Sequence, residues 1–184
     1  RYNGTFGEGT KLTVDLARAY VDGCQTTEES PDGWGSRSVN AMVKHWPGGG
    51  TGEGGRDAHF SYGKYAVYPG ENFEEHLKPF TEGAFRLDGK TEQASSVMPY
   101  YTISYGIDKK YGENVGNSYS KYIVQELLRD TCGYDGVVCT DWGITDTCSS
   151  DEMISGMNWG TAHLSVEERH YKALMSGVDQ FGGN

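Results

Sequence analysis

The sequence predicts an α/β fold of about four αβ units, with helices alternating with short apolar runs around a parallel sheet. Helical patterns at residues 10–24, 72–85, 118–129 and 165–175 are each followed by such a run, and each run ends in polar or aromatic residues. No linker or internal repeat divides the 184 residues. The same alternation suits a closed barrel and an open doubly wound sheet, so periodicity leaves that choice open.

In the first helix Leu12, Leu16, Ala19 and Tyr20 share a face, and Gly23 lies near its end. After a polar loop with Pro31, Gly33 and Gly35, residues 38–43 read as a buried strand that delivers Lys44 and His45 to its carboxyl end. Residues 48–70 form a long glycine-rich excursion whose many aromatics argue for order. The second helix repeats Phe73, Leu77, Phe80 and Ala84, with a kink or break expected at Pro79. Residues 94–98 form the second strand and run into Pro99-Tyr100-Tyr101. The third helix carries Tyr119, Tyr122, Ile123 and Leu127 and stops before Cys132-Gly133. Residues 136–140 are the third strand, whose tip presents Asp141 and Trp142. Ser165 and Glu168 have capping-box spacing at the start of the last helix, and residues 177–181 begin a fourth strand. All these strand tips point polar or aromatic groups out of the carboxyl end, where α/β sheets keep their chemistry.

Composition narrows the partners. Acidic residues outnumber basic ones 26 to 16, for a net charge of -10 and a pI near 4.9, so phosphate backbones are repelled and no nucleic acid partner is expected. No run of about 20 apolar residues occurs and mean hydropathy is -0.63, so no membrane partner is expected either. Any export signal is expected upstream; a secreted or periplasmic home is compatible with the sequence, which does not fix the compartment. Cys24, Cys132, Cys139 and Cys148 form no CxxC pair and have no His at zinc-ligand spacing; they read as buried free thiols, with a Cys139–Cys148 bridge conceivable under oxidising conditions. Neither a metal nor another cofactor is expected. With 27 glycines and 12% aromatics, glycine-rich loops with aromatic walls suit a sugar site.

Two stretches carry the chemistry. The first is Lys44-His45-Trp46-Pro47-Gly48-Gly49-Gly50, followed by Gly55-Arg56-Asp57-Ala58-His59. Lys44 and His45 on a strand tip can hydrogen-bond adjacent sugar hydroxyls, and Arg56 adds a planar donor fork; the bland alternative is that Lys44 and Arg56 neutralise Glu53 and Asp57. The second is Gly133-Tyr134-Asp135-Gly136-Val137-Val138-Cys139-Thr140-Asp141-Trp142. By itself a strand-ending Asp is more often a turn former or helix cap than a catalyst.

Together these stretches resemble the K-H-F-P-G-x-G, G-R-D-x-H and G-[FY]-x-G-x-V-x-[ST]-D-W segments of family 3 glycoside hydrolases. Residues 1–8 are similar to the R-x-x-x-T-F-G-E-D-P run of that family, although Gly9-Thr10 replaces Asp-Pro; residues 96–101 resemble S-V-M-x-x-Y, and residues 177–183 resemble A-G-V-D-M-x-G. The resemblance spans essentially the whole chain. It implies that residues 1–184 are a single segment, the central to C-terminal part of a (β/α)8 TIM-type barrel domain, with the α/β sandwich domain that follows in the family lying outside it. It also implies retaining hydrolysis of β-linked glucosides or related β-glycosides through a covalent glycosyl intermediate on Asp141, with Arg1, Lys44, His45, Arg56, Met98, Tyr101 and Trp142 binding substrate. The implied partners are a β-glycoside or oligosaccharide and the rest of the same enzyme, which supplies the acid/base Glu; the isolated segment is expected to be inactive.

Glu53, Asp57 and Glu113 are spare carboxylates outside any motif marking the acid. The N-acetylglucosaminidase branch resembles K-H-F-P-G-H-G, and Gly49 stands where its loop His would be, which favours a glucosidase or xylosidase; His59 belongs to a different motif. A non-catalytic carbohydrate-binding segment is the rival reading. Two structural expectations follow: Lys44, His45, Tyr101 and Asp141 converge within one pocket, and the Trp46–Pro47 bond is cis.

Overall fold

The computed structural model describes residues 5–149 and 156–183. Helix α1 (Thr10–Gln25) leads to strand β1 (Met42–Trp46), then β2 (Tyr65–Ala66), α2 (Phe73–Lys78), β3 (Ser96–Pro99), β4 (Ile103–Ser104), β5 (Val137–Val138) and α3 (Val166–Met175). Two π-helices complete the set: π1 (Pro79–Ala84), which prolongs α2, and π2 (Tyr122–Thr131).

The main sheet is parallel with order β1-β3-β5, and a parallel bridge from Cys139 to Gln180 continues it. Each of these strands lies beside the next of them in the chain, with a helix between. This is the order of a (β/α)8 barrel wall, with no switch-point reversal among the described strands. The expected fourth strand is that single bridge at Gln180. Val43, Val97 and Val138 occupy one register row; Val97 and Val138 are buried in a core shared with Phe80, Ile123, Leu128 and Tyr134, and half-buried Val43 packs against it. Met42 and Val137, one residue away in register, stay exposed on the other face, as the two-residue period of a strand requires.

Several boundaries differ from expectation for local reasons. Residues 38–41 are not strand, because Val39 N–H is taken up by the Cys24 carbonyl and Ser38 N–H by that of Gly35. The second helix does not break at Pro79. Without an N–H there, the chain widens into π1, and Phe85 N–H reaches Phe80 O at 2.8 Å. The third helix is split into a 3-10 turn (Asn117–Tyr119) and π2. The capping box of α3 forms in both directions: Glu168 N–H donates to Ser165 Oγ at 3.2 Å, and Ser165 N–H to Glu168 Oε2 at 2.8 Å. No disulfide joins the four cysteines among the described residues; Cys139 is buried, and Cys24, Cys132 and Cys148 are only half-buried.

The glycine-rich excursion is ordered into a small lobe. β2 and β4 pair in parallel, with Ile103 N–H donating to Lys64 O at 2.8 Å and Tyr105 N–H to Ala66 O at 2.9 Å. Two-residue strands are too short to leave a periodic signal in sequence. This lobe joins the loop after β1 to the loop after β3, at the carboxyl end of the main sheet.

Candidate active site

The register of β1 against β3 slips between Lys44 and Trp46, and this irregularity decides where three side chains point. Strict alternation from Val43 would send His45 outward and Trp46 inward. Instead Trp46 is fully buried against Phe80 and Phe85, its indole N–H donating to Ile123 O at 3.1 Å, while His45 turns toward the tip of the neighbouring strands. Both the Lys44–His45 and Trp46–Pro47 peptide bonds are cis.

At that tip Asp141 is buried, and its carboxylate is surrounded by donors. Oδ1 accepts the Trp142 N–H at 2.8 Å, and Oδ2 lies 3.3 Å from His45 Nε2. The Tyr101 hydroxyl hydrogen-bonds the same carboxylate; burial first, and then the Asp141 charge, push its phenol well above the ordinary tyrosine value. Tyr101 is thereby held as a donor to the carboxylate. The His45 ring lies tilted against Tyr100, with centroids 4.5 Å apart. Residues 45, 101 and 141, far apart in the chain, thus meet at one end of the sheet.

The remaining sequence-derived site residues fall around this centre. Lys44 is exposed, and its register partner is Met98, which is buried, so both belong to the inner face beside His45. Trp142 is exposed, and its ring lies so close to Gly183 that an added Cβ would stand 2.4 Å from its Cζ3. Arg56 is exposed on the lobe and sits 3.8 Å from Glu53, the loop partner foreseen as its bland alternative. Arg1 lies outside the described residues.

Sequence reasoning set His59 aside, and the structure brings it to the site. Its Nδ1 is 2.6 Å from Asp57 Oδ1, which also accepts the His59 N–H at 3.0 Å. The ring stands edge-on to Tyr101 at 4.9 Å. The D-x-H spacing was a visible signal, but its proximity to Tyr101 depends on pairing of the lobe. Chemically, the arrangement offers a carboxylate held by three donors for nucleophilic attack and, next to it, an Asp–His pair able to carry a proton.

The family model for the glycosyl hydrolase family 3 N terminal domain matches residues 1–181. A β-glucosidase C of Emericella nidulans is 44% identical over 184 residues, covering 100% of this chain and 28% of its own length. A periplasmic β-glucosidase/β-xylosidase of Dickeya chrysanthemi is 39% identical over 195 residues, covering 100% of this chain and 28% of its own. Among solved structures, a β-glucosidase from Erythrobacter marinus superposes with a TM-score of 0.67 over 100% of this chain and 21% of that one; at 22% identity the likeness is one of fold. The chain thus spans 28% of the length of these curated relatives.

Proposed function

Since the chain belongs to glycoside hydrolase family 3 as its N-terminal domain, we propose that the full-length enzyme is a retaining β-glycosidase acting on β-glucosides or β-xylosides. In this reading Asp141 attacks the anomeric carbon, the aglycone oxygen leaves with a proton, and water then hydrolyses the glycosyl–Asp141 ester. The observation that carries it is the buried Asp141 carboxylate at the carboxyl end of the sheet, held by His45, Tyr101 and the Trp142 amide. Lys44, His45, Arg1 and Arg56 bind hydroxyls of the sugar over Asp141, and Met98 and Trp142 wall it. The names of the Emericella and Dickeya relatives support glucose and xylose as the sugars.

The test is trapping of the full-length enzyme with a 2-deoxy-2-fluoro β-glucoside, followed by peptide mass spectrometry. The label is expected on the peptide holding Asp141. Asp141→Asn is expected to lower turnover by about 10⁴-fold or more, at least roughly 5.4 kcal/mol of barrier. A label on Glu53 or Asp57, or near-normal turnover of the variant, overturns the assignment.

The leaving-group proton has two candidate sources. One is a Glu from the rest of the enzyme. The other is His59, favoured by its 2.6 Å contact with Asp57 and its place against Tyr101, an arrangement that brings the N-acetylglucosaminidase relatives back into consideration. His59→Gln in the full-length enzyme separates them. If His59 is the acid, glycosides with poor leaving groups lose activity while dinitrophenyl glycosides, which need no proton, keep it. Equal loss on both classes assigns the proton to the Glu.

A further inference from the structure

We propose that Gly183 is a positioning residue of the sugar site: its bare backbone seats the Trp142 indole, and the space left by the missing side chain sets how large a sugar fits beside that ring. The proposal rests on the glycosidase reading above and adds what selects among the sugars.

Residues 180–183 tie down the strand tip on both sides of the Asp141–Trp142 dipeptide. Before it, Thr140 N–H donates to Gln180 O at 2.9 Å, and Gly182 N–H donates to Thr140 Oγ1 at 3.0 Å. After it, Gly143 N–H donates to Gly183 O at 2.8 Å. Between these ties the Trp142 N–H is spent on Asp141 Oδ1 at 2.8 Å, so the backbone that carries the carboxylate and the ring is fixed. The Trp142 side chain is held differently. It is 61% exposed, and among the described residues no hydrogen bond orients its indole.

What the indole rests on is glycine. A Cβ at Gly183 would stand 2.4 Å from Trp142 Cζ3, 2.6 Å from Cε3 and 3.5 Å from Cη2, so the benzene edge of the ring lies where a side chain at 183 would begin. The backbone there has φ 140°, which other residues rarely adopt. Gly182 makes a different approach possible: a Cβ there would lie 2.3 Å from Thr140 O, so its bareness admits the strand backbone. The two glycines divide the work, Gly182 receiving the strand and Gly183 the ring. With Gly183 on one side of the indole, a side chain at 183 drives the ring toward its open side, which in the glycosidase reading is the sugar's. Glucose exceeds xylose by a hydroxymethyl group, and a wall pushed inward penalises the larger of the two sugars more.

The experiment is a double-mutant cycle in the full-length enzyme: wild type, Gly183→Ala, Trp142→Ala and both together, with kcat/KM measured on p-nitrophenyl β-glucoside and β-xyloside. With Trp142 in place, Gly183→Ala is expected to lower the glucoside-to-xyloside ratio by about 10-fold. On the Trp142→Ala background the same step is expected to change that ratio by less than about 2-fold, because no ring is left to displace. Backbone strain at position 183 acts in both backgrounds and on both sugars. An equal shift with and without the indole, or no shift in either, therefore overturns the proposal. Should Gly183→Ala alone fail to fold, recovery of folded protein in the double variant supports the seat, and failure of both overturns it. If the wild type cleaves neither glycoside, the glycosidase reading fails separately. In that case, or if only one is cleaved, crystal structures of the full-length wild type and Gly183→Ala decide: a displaced Trp142 ring supports the proposal and an unmoved one overturns it.

Discussion

At the scale of single residues, Tyr101 shows how burial and charge combine to make a one-way donor. Desolvation and the neighbouring Asp141 charge both favour its protonated form, so across the working pH range it only donates to the carboxylate. Tyr101→Phe keeps the ring against His59 and removes that donor. Misaimed nucleophiles cost up to about 100-fold, so kcat and the rate of trapping by a fluoro-sugar are expected to fall by about 10- to 100-fold with KM little changed. Unaltered kcat would remove Tyr101 from the positioning role. The Asp141 tip, the Lys44–His45 pair and Tyr101 were legible because each ends an apolar strand inside a recognisable motif. His59 was not, since its relation to Tyr101 is set by two-residue strands that pair the lobe. Arg56 stands 3.8 Å from Glu53, and nothing in a sequence separates an arginine aimed at substrate from one placed beside a carboxylate three residues back.

At the scale of elements, helix and strand identity follow from periodicity, while their ends follow from who takes each backbone N–H. The α3 start was legible to the residue because Ser165 and Glu168 satisfy each other's amides within four positions. Ser165→Ala is expected to cost about 1 kcal/mol, or roughly 2–4 °C in Tm, with Ser165→Asp retaining most of it. A thermal melt showing no difference between the three proteins would remove the cap from the stabilising interactions. The start of β1 was misplaced by four residues because the Cys24 carbonyl captures Val39, a contact between segments that no local pattern records. The slip between Lys44 and Trp46 was equally invisible. Alternation alone would have put His45 under the helices and Trp46 in the sugar site.

At the scale of the whole molecule, four phenols, those of Tyr68, Tyr101, Tyr119 and Tyr134, are pushed above the ordinary tyrosine value chiefly by burial. Unfolded, they ionise near pH 10; folded, they keep their protons to higher pH. Above about pH 10 the unfolded chain therefore binds fewer protons, and stability fully present below that pH is lost as pH rises further. The melting midpoint is expected to hold between about pH 7 and 9 and to fall past about pH 10, with tyrosinate absorbance appearing as the protein unfolds. A midpoint unchanged to about pH 11 contradicts this. The α/β class was legible from alternation, but the choice between barrel and open sheet needed the observed order of strands, since both architectures bury the same apolar runs. That order also bears on how the protein is made. Because each strand of the main sheet settles beside the one translated before it, the wall can be laid down in the direction of synthesis, with β1 and β3 joined while β5 is still within the ribosome. His45 and Tyr101 then wait at the tip of a half-built wall, and the charge they exist to hold is the last of the three to leave the exit tunnel.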